Sequence, residues 1–454
     1  MLNVNEFSSA KIQLFFQLTK LYLLFRIILH SSLFTLHFFP YLCTMKTAII
    51  GGGAAGFFLA INLKERIPEM QVTIFERSRR VLAKVEISGG GRCNCTNSFA
   101  GVTNLKQVYP RGHRLMKRLM HEFDHRAAYE WFERHGVPLV TQDDECVFPF
   151  SQDSHTIINC FLREANRLGI SVQREHRINS LDELADFDFV CVTTGGSPRR
   201  EGLAWLEAVG HEIEQPCPSL FTFQINDEAL HELMGTVAET ATVQIPGTKF
   251  RASGPLLITH WGLSGPAILK LSSYAARHLA ERNYQETVSV NWLSQNEEQV
   301  RAELTVFARE HEAKLVASLN PFGLSSRLWL YLVEKVGMGI SRWAEILPTS
   351  GRGLNRLVNL LTNDTYIISG RGVNKDEFVT CGGVSLSSVY PSTLESRIYP
   401  QSQGTSSPRL FFAGEVLDID GITGGFNFQA AWTTAYVVAK SIAAESLNVK
   451  QFSC

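Results

Sequence analysis

Between Thr47 and Glu76 the chain reads apolar strand, glycine loop, apolar helix, second strand, acid. Thr47-Ala-Ile-Ile50 runs into Gly51-Gly-Gly53-Ala-Ala55-Gly56, followed by Phe57–Leu63, then by Gln71–Phe75 and Glu76. No other feature constrains the fold as much. A strand, GxGxxG and helix in this order hold the pyrophosphate of a dinucleotide against a helix N-terminus. Gly51 allows the tight turn, Gly53 lets the pyrophosphate reach the backbone, and Gly56 lets helix and strand pack closely. Ala55 lies in the same loop and is counted with it. Glu76 stands twenty residues past Gly56, placed to accept hydrogen bonds from an adenosine ribose, with Arg77 beside the adenine.

The far end of the chain bears on which dinucleotide it is. Arg409–Ala413 reads as a strand, then come Gly414-Glu415, Asp418, Gly421, Gly424-Gly425 and a helical segment from Phe426 and Asn427. Such a closure suits FAD: the Glu415 carboxylate takes ribityl hydroxyls, and the helix N-terminus faces the pyrimidine end of the flavin. Its dipole would stabilise the negative charge that accumulates there on reduction. Gly414, Asp418, Gly424, Gly425, Phe426 and Asn427 are counted with this closure; the alternative is a plain β-α unit with a glycine turn. Phe189–Gly196 is a strand ending in Thr-Thr194-Gly195-Gly, which returns the chain to the dinucleotide. No second strand-GxGxxG-helix unit is evident, so a nicotinamide cofactor is expected only as a visitor.

Composition bounds the rest. The 454 residues are 45% hydrophobic and 19% charged, with a formal net charge of -1. That is an ordinary globular chain of two or three domains, with no bulk field directing it to nucleic acid or acidic membranes. Nine cysteines at irregular spacing without a CxxC suggest a reducing, cytoplasmic setting. Residues 1–44 are apolar and aromatic but interrupted by Arg26, His30 and His37. An arginine inside a membrane span costs roughly 2.5–3.5 kcal/mol. Met45 is therefore read as the true start and the leader as upstream sequence, the alternative being a signal anchor; with Met45 as the start, no stable membrane association is expected.

The stretch Ile87–Ser98 (ISGGGRCNCTNS) holds three glycines, an arginine and two cysteines. Cys93 and Cys95 lack a second pair at zinc spacing, so no metal is expected, and a CxC disulfide is strained. A flavin-cradling loop fits better. Gly89, Gly90 and Gly91 expose amides and admit the ring, Arg92 neutralises phosphate or flavin charge, and Asn94 bonds the flavin edge. Cys93 is either a packed small residue or a proton donor to substrate. His260, in Thr-His-Trp-Gly-Leu-Ser-Gly-Pro, is the second catalytic candidate.

Val85–Asn97 resembles the SGGGRCNxTN signature of the BaiN/YhiN-type bacterial flavoproteins, a group also labelled NAD(P)/FAD-dependent or aminoacetone-oxidase-like. Val147-Phe-Pro149, Thr259–Pro266, Thr380–Val384, Thr393–Ser396 and Gly414–Asn427 match it in order. The resemblance implies an α/β fold: a Rossmann-like FAD domain (45–215 and 376–447), interrupted by a β-rich, barrel-like domain (216–294 and 363–375) carrying a helical insertion (295–362). Alternation and β-branching independently predict strands over Leu220–Ile225, Thr236–Ile245, Phe250–Thr259, Thr287–Trp292 and Thr365–Ile368. Helical periodicity covers Glu297–Leu319, Arg327–Val336 and Leu354–Leu361. The implied activity is hydride transfer from flavin to an electron-poor C=C bond of a small molecule, with NAD(P)H as transient donor. Amine oxidation of the aminoacetone type and reduction of uridine in ribosomal RNA are the alternatives.

Overall fold

Lys46–Ile50 (β1) is buried over its last four residues, and a strand in that position needs a hydrogen-bonding neighbour on each side. In the computed structural model, which describes residues 45–346, 352–372, 379–399 and 407–452, it has both. The leader, with the readings of it as upstream sequence or anchor, lies outside the described residues. Ala54–Arg66 (α1) crosses from β1 to Gln71–Phe75 (β2), which pairs with β1 in parallel from Lys46↔Gln71 to Ile50↔Phe75. After the short elements Ala83–Gly91 (α2) and His113–Leu119 (α3), Ser171–Gln173 (β3) extends the sheet beyond β2, and Phe189–Val192 (β4) pairs with the other edge of β1. Arg409–Phe412 then joins β4, completing five parallel strands in the order 409–412, β4, β1, β2, β3. α1 is buried at every position from Ala55 to Leu63, as expected of a helix that is apolar all round; the C-terminal helix Phe426–Phe452 packs against it.

Ile213–Ser219 (β5) carries the chain out of this unit. Phe223–Ile225 (β6), Val237–Gln244 (β7), Arg251–Thr259 (β8), Gly262–Ser264 (β9), Glu286–Asn291 (β10) and Asp364–Arg371 (β11) form a closed antiparallel barrel in the order β7-β8-β9-β6-β11-β10. Closure leaves no open sheet edge. Pro266–Tyr274 (α4) and Ala276–Glu281 (α5) follow β9, and between β10 and β11 run Glu297–Glu310 (α6), Ser326–Lys335 (α7) and Arg352–Asn363 (α8). Their buried faces, including Leu304, Trp329 and Leu357, share one hydrophobic core with the barrel. Val379–Val384 (β12) brings the chain back, antiparallel to β5.

Two segments depart from the periodicity. The predicted helix 297–319 stops at Glu310, because the amide of Val316 is taken by the Ser341 carbonyl and Leu315 bridges to Arg342; a partner distant in sequence wins over local pattern. Leu220 adopts φ 57, turning the chain out of β5, so the strand begins at Phe223. Among the described residues, no helix is long and apolar enough to cross a membrane.

Candidate active site

The positions of the glycine loop differ in what surrounds them. Gly51 has φ 115, and a Cβ there would fall inside the envelope of the Thr193 carbonyl. A Cβ on Gly56 would overlap the Gly51 carbonyl and lie 2.9 Å from Thr193 Oγ1. That hydroxyl donates to the Ile50 and Gly51 carbonyls at 3.1 and 3.0 Å, binding β4 to the loop. Gly53 is different: a Cβ there would meet nothing within 4 Å. It precedes α1 without a side-chain cap, and no acid occupies the first turn. The helix therefore presents its positive N-terminal end to open space. Glu76 accepts from the Gly52 amide (2.8 Å) and the Ser78 amide (2.8 Å), which fixes its carboxylate at the rim of this opening.

Residues 83–97 form the next wall. α2 kinks at Ser88 (ψ 148), after which Gly89, Gly90 and Gly91 take φ of 56°, 69° and 84°. Successive left-handed residues are open to glycine at little cost, and Cβ atoms on Gly90 or Gly91 would meet nothing within 4 Å. Arg92 is folded back: its guanidinium lies 4.2 Å over the Phe148 ring, and Nε donates to the Gly89 carbonyl (3.1 Å). Asn94 is turned inward too. In the amide orientation that satisfies both ends, its nitrogen donates to Thr96 O (2.8 Å) and Val147 O (3.3 Å), and its oxygen accepts from Gly425 N (3.2 Å).

The C-terminal closure meets both walls. A Cβ on Gly414 would sit 2.9 Å from Ala55 Cβ, so the first and last motifs touch. Glu415 accepts from Lys84 Nζ at 2.8 and 3.1 Å and from the Thr380 amide at 2.8 Å. Gly195 and Gly196 face the same carboxylate. Gly424 and Gly425 have φ of 123° and 90°; a Cβ on Gly425 would collide with the Thr96 carbonyl. Asn97 Nδ2 donates to the Gly424 carbonyl (3.0 Å) and Trp432 Nε1 to the Cys95 carbonyl (2.8 Å). Segments near residues 53, 90, 195, 380 and 415 thus converge on one cradle. Lys84 went unremarked in the sequence, where a lone lysine before a glycine run carries no signal.

Several expected site residues are placed elsewhere. Cys93 is 0% exposed, with its Sγ 3.9 Å from Cys95 Sγ, in the core beneath the loop. Of its two expected roles, packed residue or proton donor, this burial favours packing. Burial raises the Cys95 thiol well above its ordinary value, with the hydrogen bond to Cys93 adding to the effect. Asp418 is committed to Arg277 of α5, whose Nη2 donates to both carboxylate oxygens at 2.9 Å; it joins barrel to sheet rather than lining the cradle. Arg92 and Asn94 brace the loop through these contacts. Asn427 closes its own turn by bonding Gly421 N and O (2.8 and 2.9 Å), and Phe426 packs edge-on against Phe99 and Tyr109. Arg77 and Thr194 are exposed. His260 is exposed in the β8–β9 turn, its ring 4.1 Å from that of Trp261.

The geometry fits FAD: a helix N-terminus facing open space at Gly53, an acid at its rim, a glycine-floored trough at Gly90 and Gly91, and a carboxylate at Glu415 beyond. Among the described residues, no group of three or more His, Cys, Asp or Glu is arranged to hold a metal ion.

A family model described as "HI0933-like protein Rossmann domain" matches residues 45–441. Two curated relatives align along most of their length. A 3-dehydro-bile acid delta(4,6)-reductase of Clostridium scindens is 25% identical over 425 residues, covering 88% of this chain and 99% of its own. A ribosomal RNA dihydrouridine synthase of Haemophilus influenzae is 26% identical over 421 residues, covering 87% and 98%. Among solved structures, a 3-ketosteroid delta1-dehydrogenase of Sterolibacterium denitrificans superposes with a TM-score of 0.45 at 10% identity, covering 88% of this chain and 99% of its own. The match over residues 45–441, on a parallel sheet with this glycine cradle, places the chain in the HI0933-like Rossmann-domain family of FAD-dependent oxidoreductases.

Proposed function

We propose that the protein reduces an electron-poor C=C bond conjugated to a carbonyl, using FAD held in the cradle and NAD(P)H as transient donor. One observation carries this reading. The bile-acid reductase and the dihydrouridine synthase, each aligned over nearly its whole length, are named for very different substrates but for one kind of step, addition of two hydrogens to a conjugated double bond.

Bound FAD supplies the two-electron chemistry. The chain's own residues bind and orient it. The α1 N-terminus at Gly53 takes the pyrophosphate, and Glu76 takes the adenosine ribose. Lys84 and Glu415 hold each other across the cradle, and Glu415 is the carboxylate for ribityl hydroxyls. Gly90 and Gly91 let the ring approach the backbone. The proton that completes the reduction falls to a group with an open face; Cys93 has none, and His260 has one.

A second substrate, uridine within ribosomal RNA, is favoured by a local feature that the net charge of -1 conceals. Lys106, Arg114, Lys117 and Arg118 are all exposed on and before α3. Burial, then Lys106 and Arg114, lowers the pKa of His113 between them. This basic face adjoins the closure, since Gly112 lies against Ile419 and Arg111 pairs with Asp420. Phosphates favour such a rim.

Anaerobic stopped-flow on the flavin-loaded protein tests the reading. NADH or NADPH should bleach the flavin rapidly, and a conjugated enone should restore its colour. Bleaching by amines alone would replace the proposal with an oxidase of the aminoacetone type. Loss of one dihydrouridine from ribosomal RNA in a deletion strain would select RNA as substrate, and reversing Arg114, Lys117 and Arg118 to glutamate should then abolish RNA reduction alone.

A further inference from the structure

Cys217 on β5 and Cys381 on β12 stand directly opposite each other in an antiparallel pair. Both are free thiols, 5% and 0% exposed, enclosed with Ala276 and Ala280 in a small cluster separate from the two main cores. Directly opposed residues of such a ladder lie roughly 4.5–5.5 Å apart at Cα, within the approximate 4.4–6.8 Å span of a disulfide. Both side chains are buried in that one cluster, against the same two alanines.

The surroundings divide the roles. The neighbouring Cys381 thiol pulls Cys217 below its ordinary value against the opposing effects of burial and Asp420, with the guanidiniums of Arg111 and Arg277 assisting. The proximity of Cys217, with burial, pushes Cys381 up. One sulfur is the readier to ionise, beside two guanidiniums that are each paired with an aspartate, and its partner keeps its proton.

We propose that Cys217 and Cys381 form a redox-responsive disulfide at the root of the barrel, closed by hydrogen peroxide or an organic hydroperoxide. The Cys217 thiolate attacks the peroxide, an S–O bond forms as the O–O bond breaks, and the departing oxygen leaves as water or alcohol. The Cys381 sulfur then attacks Cys217, forming S–S as S–O breaks and releasing water. Two thiols lose two electrons to the peroxide oxygens, and their protons end in the products. β5 leaves the FAD-binding unit and β12 returns to it, so the bond encloses residues 218–380 in one covalent ring. It also fixes the strand whose Thr380 amide holds Glu415.

The test uses the full-length, flavin-loaded protein titrated with hydrogen peroxide, then denatured, alkylated and mapped by mass spectrometry without reductant. The expected result is loss of two alkylatable thiols and a peptide linking Cys217 to Cys381 that dithiothreitol cleaves. Neither Cys217→Ala nor Cys381→Ser should yield it. Recovery of both cysteines as separate alkylated or over-oxidised peptides would overturn the proposal. So would a Cys93–Cys95 link in place of the expected one. The decisive peptide is read in the unmutated protein, so poor folding of a variant leaves the result standing.

Discussion

Adding one methyl group at Gly53 and one at Gly56 should separate cofactor binding from folding. Gly53 has φ -94 and ψ -167, an extended backbone that any residue adopts, and its Cβ would meet no protein atom within 4 Å. Gly53→Ala should therefore leave the apoprotein's stability within about 0.5 kcal/mol of the parent. The methyl would stand where the pyrophosphate approaches the α1 N-terminus. Losing one or two charge-assisted hydrogen bonds there, at roughly 1.5–3 kcal/mol each, sums to about 1.5–6 kcal/mol. That weakens FAD binding by at least about tenfold, at tenfold per 1.4 kcal/mol. At Gly56 the same methyl would collide with the Gly51 carbonyl and press on Thr193 Oγ1 at 2.9 Å. Helix and strand cannot both stay in place, and overpacking costs about 1–3 kcal/mol. Gly56→Ala should thus melt lower even without FAD. Thermal melts of the apoproteins, with FAD titrations followed by flavin fluorescence, provide both readings. If Gly53→Ala bound FAD as tightly as the parent, or if its apoprotein melted as low as Gly56→Ala, the assignment of the opening would be wrong.

Other consequences follow from the same contacts. Arg111→Met leaves the fully buried Asp420 without the guanidinium that bonds both of its oxygens. The expected loss is about 3–5 kcal/mol, read as a shift in urea midpoint, and largely recovered by adding Asp420→Leu. Cys93→Ser should lower the melting temperature, because a hydroxyl replaces a packed thiol, while the rate of flavin reoxidation by substrate stays unchanged; slowed reoxidation would restore Cys93 as a donor. His211 is buried, and burial lowers its pKa from 6.5 to about 4. The unfolded chain takes up that proton near pH 6.5 and the folded chain only near pH 4. Stability should therefore fall as pH drops across this window, by on the order of 2 kcal/mol, and His211→Gln should flatten that part of the curve. Glu415→Gln removes the negative partner of Lys84 and should weaken FAD binding, read by the same fluorescence titration.

The strand, glycine loop, helix and acid at 47–76 were legible because each piece is local: spacing and apolar runs within thirty residues specify a βαβ unit. The barrel strands showed themselves by alternation, and the helices between β10 and β11 by their apolar faces. Local pattern did not determine where Glu297–Glu310 ends, since the chain beyond it pairs with the segment around Ser341, whose carbonyl takes the Val316 amide. Nor did it reveal β5 with β12, whose pairing partners lie more than 150 residues apart. The same limit applies within the site. A residue type and its spacing gave Cys93, Arg92, Asn94 and Asp418 plausible chemical roles, but exposure and partners are properties of the packed chain. Packing buried Cys93, laid Arg92 on Phe148, turned Asn94 to Gly425 and gave Asp418 to Arg277. It also brought Lys84 to Glu415 across 331 positions. Glycines could be read ahead because what they provide, a missing side chain, is the same wherever the backbone goes; the function of a charge or a thiol depends on what folding places beside it.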